Sequence, residues 1–262
     1  MGAKMADHQR SVLMSELRAP ELRELANPQT IVLIPVASIE QHGPHLPVMT
    51  DTLLASEVCR RAALGAVERS KPAIVTECVW SGLSEHHMSL GATITLDFMT
   101  FQSLIDGVVE SLFRHGFRRF LLVNGHGGNI HALKTIVDEL SFELDDADVR
   151  YLTYWQAAAA ELGGELETQK SIRHACEAET SMVMALRPDL VDGTAFEQAK
   201  CADLRDQDGP PEPIYRWQSF AAKTPSGALG DPTAASAEKG EKLLSIASHA
   251  LAERISAEGF WT

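Results

Sequence analysis

The sequence predicts an α/β protein with a mainly parallel central sheet covered by helices on both faces. Three observations carry that reading. Short apolar runs of strand length recur at residues 31–36, 73–75, 118–123 and 149–153. Between them lie longer segments whose apolar residues follow helical spacing. The residues with chemistry in them gather immediately after the apolar runs, where an open α/β sheet binds its ligands. Alternation of this kind predicts a parallel sheet and one domain over residues 1–262, with residues 1–28 as a helical lead-in.

Taken in order, residues 11–26 place Leu13, Leu17 and Leu22 among Glu and Arg, the pattern of a short helix. Residues 31–36, between Pro28 and Pro35 at their flank and interior, form the first buried strand. Thr50 or Asp51 is expected to cap a helix running to about Glu68. Residues 73–75 make a second strand, followed by a loop that holds Ser84, Glu85, His86 and His87. Residues 92–96 alternate Thr with aliphatic side chains and read as a further strand. Phe101, Leu104, Ile105, Val108, Val109, Leu112 and Phe113 then keep helical spacing without a miss, which indicates core packing. The strand at 118–123 ends in Asn124-Gly125-His126-Gly127-Gly128-Asn129 and is followed by a helix carrying Ile130, Leu133, Val137, Leu140 and Leu144. Residues 157–160 and 179–186 read as helices, the second stopped by Pro188. Residues 203–219, rich in Asp, Pro and Gln, read as a surface loop. Asp231 and Pro232 are expected to start a last helix that reaches about Arg254.

Composition narrows the function classes. Thirty-six acidic against 23 basic residues give a net charge of −13, which argues against nucleic acid or an anionic membrane as partner. The four cysteines show no CxxC spacing and read as reduced thiols. No apolar run has the length of a membrane span, the amino-terminal residues lack a signal-peptide core, and Ala6 stands where myristoylation needs Ser or Thr. The expectation is a cytoplasmic protein.

Three polar clusters stand out: Glu40, His42 and Asp51; His126 inside its glycine-rich turn; and His174 to Ser181, which contains Glu177 and Glu179. Carboxylates with imidazoles on turn-rich segments form a divalent-metal ligand set, although a polar loop with hydrogen-bonded histidines gives the same residues. Parallel strands would bring the first two clusters to one sheet edge. Three carboxylates and two imidazoles suffice for two ions, with Asp51 able to bridge them. The strand–glycine–helix layout around His126 also resembles a phosphate loop, but its spacing fits neither GxGxxG nor GxxxxGK[ST].

The segments Glu40-Gln41-His42-Gly43-Pro44-His45-Leu46-Pro47 with Thr50-Asp51, Asn124 to Asn129, and His174-Ala175-Cys176-Glu177-Ala178-Glu179-Thr180-Ser181 resemble the signatures of the creatininase family. The resemblance extends to Glu85-His86-His87 and to Ser226 through Pro232. It implies a three-layer α/β/α sandwich, two divalent metal ions per subunit, and hydrolysis of a C–N bond in a small cyclic amide or formamide. Zinc is the expected ion, with manganese or iron compatible, and the expected assembly is a homo-oligomer, commonly a hexamer. Glu40 and His126 would hold one ion, His42 the other, and Asp51 would bridge. Creatininase itself has Tyr and Glu where this chain has Gly127 and Gly128, so Glu179 is taken as the fifth ligand. His174 is assigned as general acid and Glu177 as the group that orients it or a water. Ser84 and His86 are candidate substrate contacts. His45 is read as shaping its turn and Cys176 as packing. The same resemblance leaves open a peptidase that trims a peptide-derived cofactor precursor of the mycofactocin type; from a different class, the alternative is a metal-bound sensor or scaffold without turnover.

Overall fold

The computed structural model describes residues 11–201 and 216–261. A short helix α1 (Ala19–Leu25) precedes strand β1 (Ile31–Val36). Helix α2 (Thr50–Glu68) leads to β2 (Ala73–Val75), α3 (Phe98–Arg114) to β3 (Arg119–Asn124), and α4 (Ile130–Glu143) to β4 (Asp148–Thr153). Helices α5 (Ala159–Gly164), α6 (Glu177–Leu186), α7 (Phe196–Ala199) and α8 (Ala237–Ser256) follow. The four strands pair in parallel in the order β2-β1-β3-β4.

Alternation along each strand sends side chains to two separate cores. Ile31, Leu33, Val75, Leu121 and Val123 pack against Leu54 and Val58 of α2, Met182 of α6 and Leu243 of α8. Val32, Ile34, Ile74, Phe120 and Leu122 pack against Phe101 and Ile105 of α3 and Leu133 and Ile136 of α4. Every residue of β1 is buried, so this central strand reads as an unbroken apolar run rather than an alternating one. The result is the expected α/β sandwich.

The strand order sets the location of the site. The chain leaves β1 toward β2 on one side and leaves β3 toward β4 on the other. Val36 and Asn124, the last residues of β1 and β3, are paired in register. The two following segments therefore begin side by side in the crevice where the winding reverses, the usual ligand position of such sheets.

Three expectations need correction. Residues 92–96 form no strand, because Ile94 pairs only with Ile39 and Thr95 only with Gly82, as single bridges to different partners. Asp231 does accept from the backbone of Thr233, but it starts only the 3-10 turn Pro232–Ala234; the long helix begins after Ser236, whose hydroxyl takes the backbone N–H of Lys239. Neither Thr50 nor Asp51 caps α2, whose N-cap is Met49. Thr50 instead bonds the carbonyl of Pro47, and Asp51 turns to His42. The expected loop at 203–219 falls mostly outside the described residues, although Arg216, Trp217 and Gln218 are seen at the main cavity.

Candidate metal centre

Glu40 and His42 lie four and six residues past the end of β1, Asp51 in the first turn of α2, and His126 two residues past β3. Glu179 reaches the same point from the first turn of α6. All five are buried. The potential ligand atoms of Glu40, Asp51 and His126 lie within 4.8 Å of one another, and so do those of His42, Asp51 and Glu179. Asp51 is thus common to two groups: its Oδ1 is 3.1 Å from His42 Nε2 and its Oδ2 3.1 Å from His126 Nδ1. His126 Nδ1 is also 2.9 Å from Glu40 Oε2. Glu40, His42 and His174 form a third convergent group.

The outer nitrogens of both histidines are held. His42 Nδ1 lies 3.1 Å from the carbonyl of Glu40, and His126 Nε2 lies 3.2 Å from that of Leu83. A carbonyl only accepts, so these nitrogens carry protons and the inward ones offer lone pairs, the orientation required of metal ligands. Among the described residues, buried His42 Nε2 and Asp51 Oδ2 have no hydrogen-bond partner. Orphaned acceptors at the centre of an oxygen–nitrogen cluster are costly unless a cation joins them. The residues present therefore fit divalent ions such as zinc or manganese.

The charges follow the same logic. Burial works to lower the His42 imidazole, but Asp51, Glu179 and Glu40 outweigh it and push it up to about 9. His126 is likewise raised well above its ordinary value, against burial, by Glu40 and Asp51. Burial raises the Glu179 carboxyl despite the attraction of His42. Asp51 is held low by its two imidazole neighbours although burial opposes this. Protons thus stand in for cations in this cluster, and metal binding would displace them.

The glycine-rich turn is a frame for His126. Asn124 takes the N–H of His126 on Oδ1 and donates from Nδ2 to its carbonyl. Asn129 accepts from the backbone of Leu83 and donates to the carbonyl of Ala37, tying three segments together. A side chain at Gly128 would run into the Leu83 carbonyl and the His126 ring, whereas none of the described residues lies within 4 Å of where one would project from Gly127.

Two assignments move. Glu177 is buried but turned away from the cluster: its carboxylate takes the backbone N–H groups of Glu167 and Thr168, the Thr168 hydroxyl at 2.6 Å, and the Lys239 ammonium. Burial would raise this carboxyl, but Lys239 and Thr168 hold it below its ordinary value. It is an anchor, not a group that orients water or His174. Ser84 is wholly buried beneath the ligands, 2.9 Å from Glu40 Oε2, 3.1 Å from His126 Nε2 and 2.6 Å from the Ser38 hydroxyl, so it steadies Glu40 and does not reach substrate.

His86 does line the cavity, stacked 5.6 Å from the His126 ring, with its imidazole brought down to about 4 by burial and by His126. His174 sits at the cluster with Nε2 2.8 Å from the carbonyl of Gln41 and Nδ1 3.4 Å from Glu40 Oε1. Burial, with His42 and His87 beside it, lowers this imidazole well below its ordinary value. His45 bonds the Thr180 hydroxyl at 2.9 Å, joining the first loop to α6. The sequence reading gave no role to Gln41 or His87, which meet His174 behind Glu40. The adjacent pair His86-His87 was the available signal.

The cluster floors a cavity of about 600 Å³ whose walls include Trp155, Arg173, Trp217, Phe220 and Lys223. No helix among the described residues is long and apolar enough to cross a membrane.

Comparison with known proteins agrees with this fold. The family model Creatininase, described as creatinine amidohydrolase, matches residues 15–255. The mycofactocin precursor peptide peptidase of Mycobacterium ulcerans (strain Agy99) is 32% identical over 240 residues, covering 90% of this chain and 88% of that protein. The creatinine amidohydrolase of Pseudomonas putida is 31% identical over 269 residues, covering 95% and 98%. Among solved structures, a mutant creatininase complexed with creatine aligns with a TM-score of 0.78 at 28% identity, over 93% of this chain and 97% of that one.

Proposed function

The chain belongs to the creatininase family, and on that premise we propose that it hydrolyses the C–N bond of a small cyclic amide or formamide at a pair of divalent ions. The observation that carries the proposal is Asp51, which belongs both to the group with Glu40 and His126 and to the group with His42 and Glu179, and whose buried Oδ2 is orphaned. Zinc is the ion proposed, with manganese as the alternative. Divalent ions held there would supply an acidified water and a polarised carbonyl, the two things an unreactive amide lacks.

The chain's own groups do the rest. Ser84 and the backbone of Leu83 hold Glu40 and His126 from behind. His174 donates Nε2–H to the carbonyl of Gln41, which leaves Nδ1 as its working nitrogen. Neutral at rest because it is buried, the ring takes the proton released by the attacking water at Nδ1 and delivers it to the departing nitrogen. His86 and Phe220 face the substrate across the cavity.

Creatinine itself is a poor candidate. The resemblance places Tyr and Glu in creatininase where this chain has Gly127 and Gly128, and Gly128 has no room for any side chain. A peptidase reading is favoured by one observation, the cavity of about 600 Å³ left above Gly127, which suits an extended substrate.

Metal analysis of purified protein is expected to give close to two ions per chain, falling sharply in Asp51→Ala, which loses the bridge. A metal content of zero under metal-replete conditions would overturn the proposal. Activity would then be measured on creatinine, on cyclic amides and formamides, and on short peptides. Turnover of creatinine at the kcat/KM of a true creatininase would show the glycines to be without consequence, and cleavage confined to peptides would select the second reading.

A further inference from the structure

Behind Glu40 lies a small buried network that the metal ligands do not account for. The Gln41 side chain has one possible orientation. Its Oε1 accepts the backbone N–H of Gly43 at 3.0 Å, and its Nε2 donates to the carbonyl of Gly227 at 3.0 Å. An N–H cannot accept and a carbonyl cannot donate, so the amide cannot be flipped. Gly227, with φ of 81°, carries no side chain where a Cβ would strike Gln41 Oε1, so the amide occupies space that only a glycine leaves open.

The second hydrogen on Gln41 Nε2 points to His87 Nδ1, 2.7 Å away. An amide nitrogen only donates, so His87 Nδ1 must be the bare nitrogen and Nε2 must carry the proton. That Nε2 lies 3.4 Å from Glu40 Oε1. The backbone of the same residue acts on the other flank. The carbonyl of Gln41 takes the proton of His174 Nε2, and His174 Nδ1 is also 3.4 Å from Glu40 Oε1. Both hydrogens of the Gln41 amide are already committed, so its 3.1 Å approach to His174 Nε2 is not a competing bond.

We propose that Gln41 is a positioning residue that sets the protonated nitrogen of two histidines at once, so that His87 presents N–H and His174 presents its proton-exchanging Nδ1 to the same oxygen of Glu40. The carboxylate is thereby held from the His87 side, with Ser84 on its other oxygen, while the His174 side stays open for proton transfer. Were His87 in the opposite tautomer, two lone pairs would face one carboxylate oxygen and Glu40 would be pushed from its place. The assignment rests on the site reading above, but its test does not depend on turnover.

The test is long-range ¹H–¹⁵N spectroscopy of zinc-loaded protein labelled at the imidazole nitrogens. Loss of single peaks in His87→Gln and His174→Asn assigns the two rings. In the unaltered protein both rings should show the proton on Nε2. In Gln41→Glu the new carboxylate accepts where the amide donated, so His87 should switch to Nδ1–H. His174, held by a backbone carbonyl, should keep Nε2–H, and zinc should bind more weakly than in the parent, because Glu40 is no longer held from the His87 side. A parent spectrum with His87 protonated at Nδ1, or a Gln41→Glu spectrum with His87 unchanged, overturns the proposal. Should Gln41→Glu fail to fold, Gln41→Met removes the donor without adding a charge and should leave His87 as a mixture of tautomers; a His87 still fixed at Nε2–H there overturns it equally. A protein that binds no zinc yet shows these tautomers would refute the metal reading and leave this one standing.

Discussion

The two sides of the first turn of α6 carry the same residue type and do opposite things. Glu177 and Glu179 are both buried glutamates two positions apart. At 3.6 residues per turn they point about 200° apart. Glu177 faces a wall of donors, four hydrogen bonds from Glu167 and Thr168 and the Lys239 ammonium, and its carboxyl is held low. Glu179 faces other acids: it takes one backbone N–H, that of Ala175, and burial, with Asp51 and Glu40 beside it, drives its carboxyl up against the attraction of His42. A satisfied carboxylate stabilises the chain. An under-satisfied one waits for something the chain does not supply, and that difference separates an anchor from a ligand.

The largest expected effect breaks the ligand side. Glu179→Ala should lower the metal content and take hydrolysis to background, because one ion loses a carboxylate. It should fold at least as well as the parent when metal is absent, since a poorly partnered acid has been removed. A Glu179→Ala protein that keeps two ions and its activity would place the ligand elsewhere. Next in size is His174→Ala, which should retain its metal and lose about 10²–10⁴-fold in kcat, the usual worth of a general acid–base group. An amide with a better leaving group should recover part of that loss. If His174→Ala sheds metal instead, the third convergent group, Glu40, His42 and His174, is the true ligand set.

The anchor side should respond in stability rather than chemistry. Glu177→Ala leaves the backbone N–H groups of Glu167 and Thr168 without their acceptor, while the Lys239 ammonium keeps Glu167 and the carbonyl of Ala234, and each unsatisfied buried donor costs about 1–3 kcal/mol. Thermal and urea unfolding should show that loss while the metal content per folded chain is unchanged. A Glu177 variant of parental stability but reduced metal content would reverse the comparison.

The contrast also marks what was readable in the sequence. The apolar runs of β1 to β4 and the helical stripes of α3 and α4 are local patterns, and they appear where their spacing placed them. The convergence of the polar clusters was legible because strand ends in this topology have one destination, and the register of Val36 with Asn124 delivers Glu40 and His126 to it. Direction was not legible. Nothing local distinguishes Glu177 from Glu179, because their fates are decided by Lys239, 62 residues away, and by Asp51 on another helix. Ser84 looked like a loop hydroxyl because its burial comes from Ser38 and Glu40, which join it only in the fold. Residues 92–96 had the alternation of a strand but found no continuous partner to ladder against.

The smallest effect belongs to the residue that caps this turn, and it tests whether the comparison reaches beyond the two acids. Cys176 is the N-cap of α6 and is wholly buried. Its Sγ accepts the backbone N–H of Arg173 at 3.3 Å, a weak bond, and the residue packs so tightly on Gly230 that a Cβ there would lie 2.5 Å from its own. Burial, with Glu179 adding to it, pushes the thiol up to about 12, so almost no thiolate exists at neutral pH. The side chain therefore has neither the charge nor the access of a nucleophile or a soft metal ligand, although it stands three residues from Glu179. Cys176→Ala keeps the Cβ that meets Gly230 and gives up only the sulfur, for a cost of about 1 kcal/mol. Metal content, kcat and KM should be those of the parent. Native protein treated with iodoacetamide should stay unmodified at Cys176 until it is unfolded. Modification of the folded protein at that position, or a loss of metal in Cys176→Ala, would show that the cap belongs to the ligand side of the turn after all.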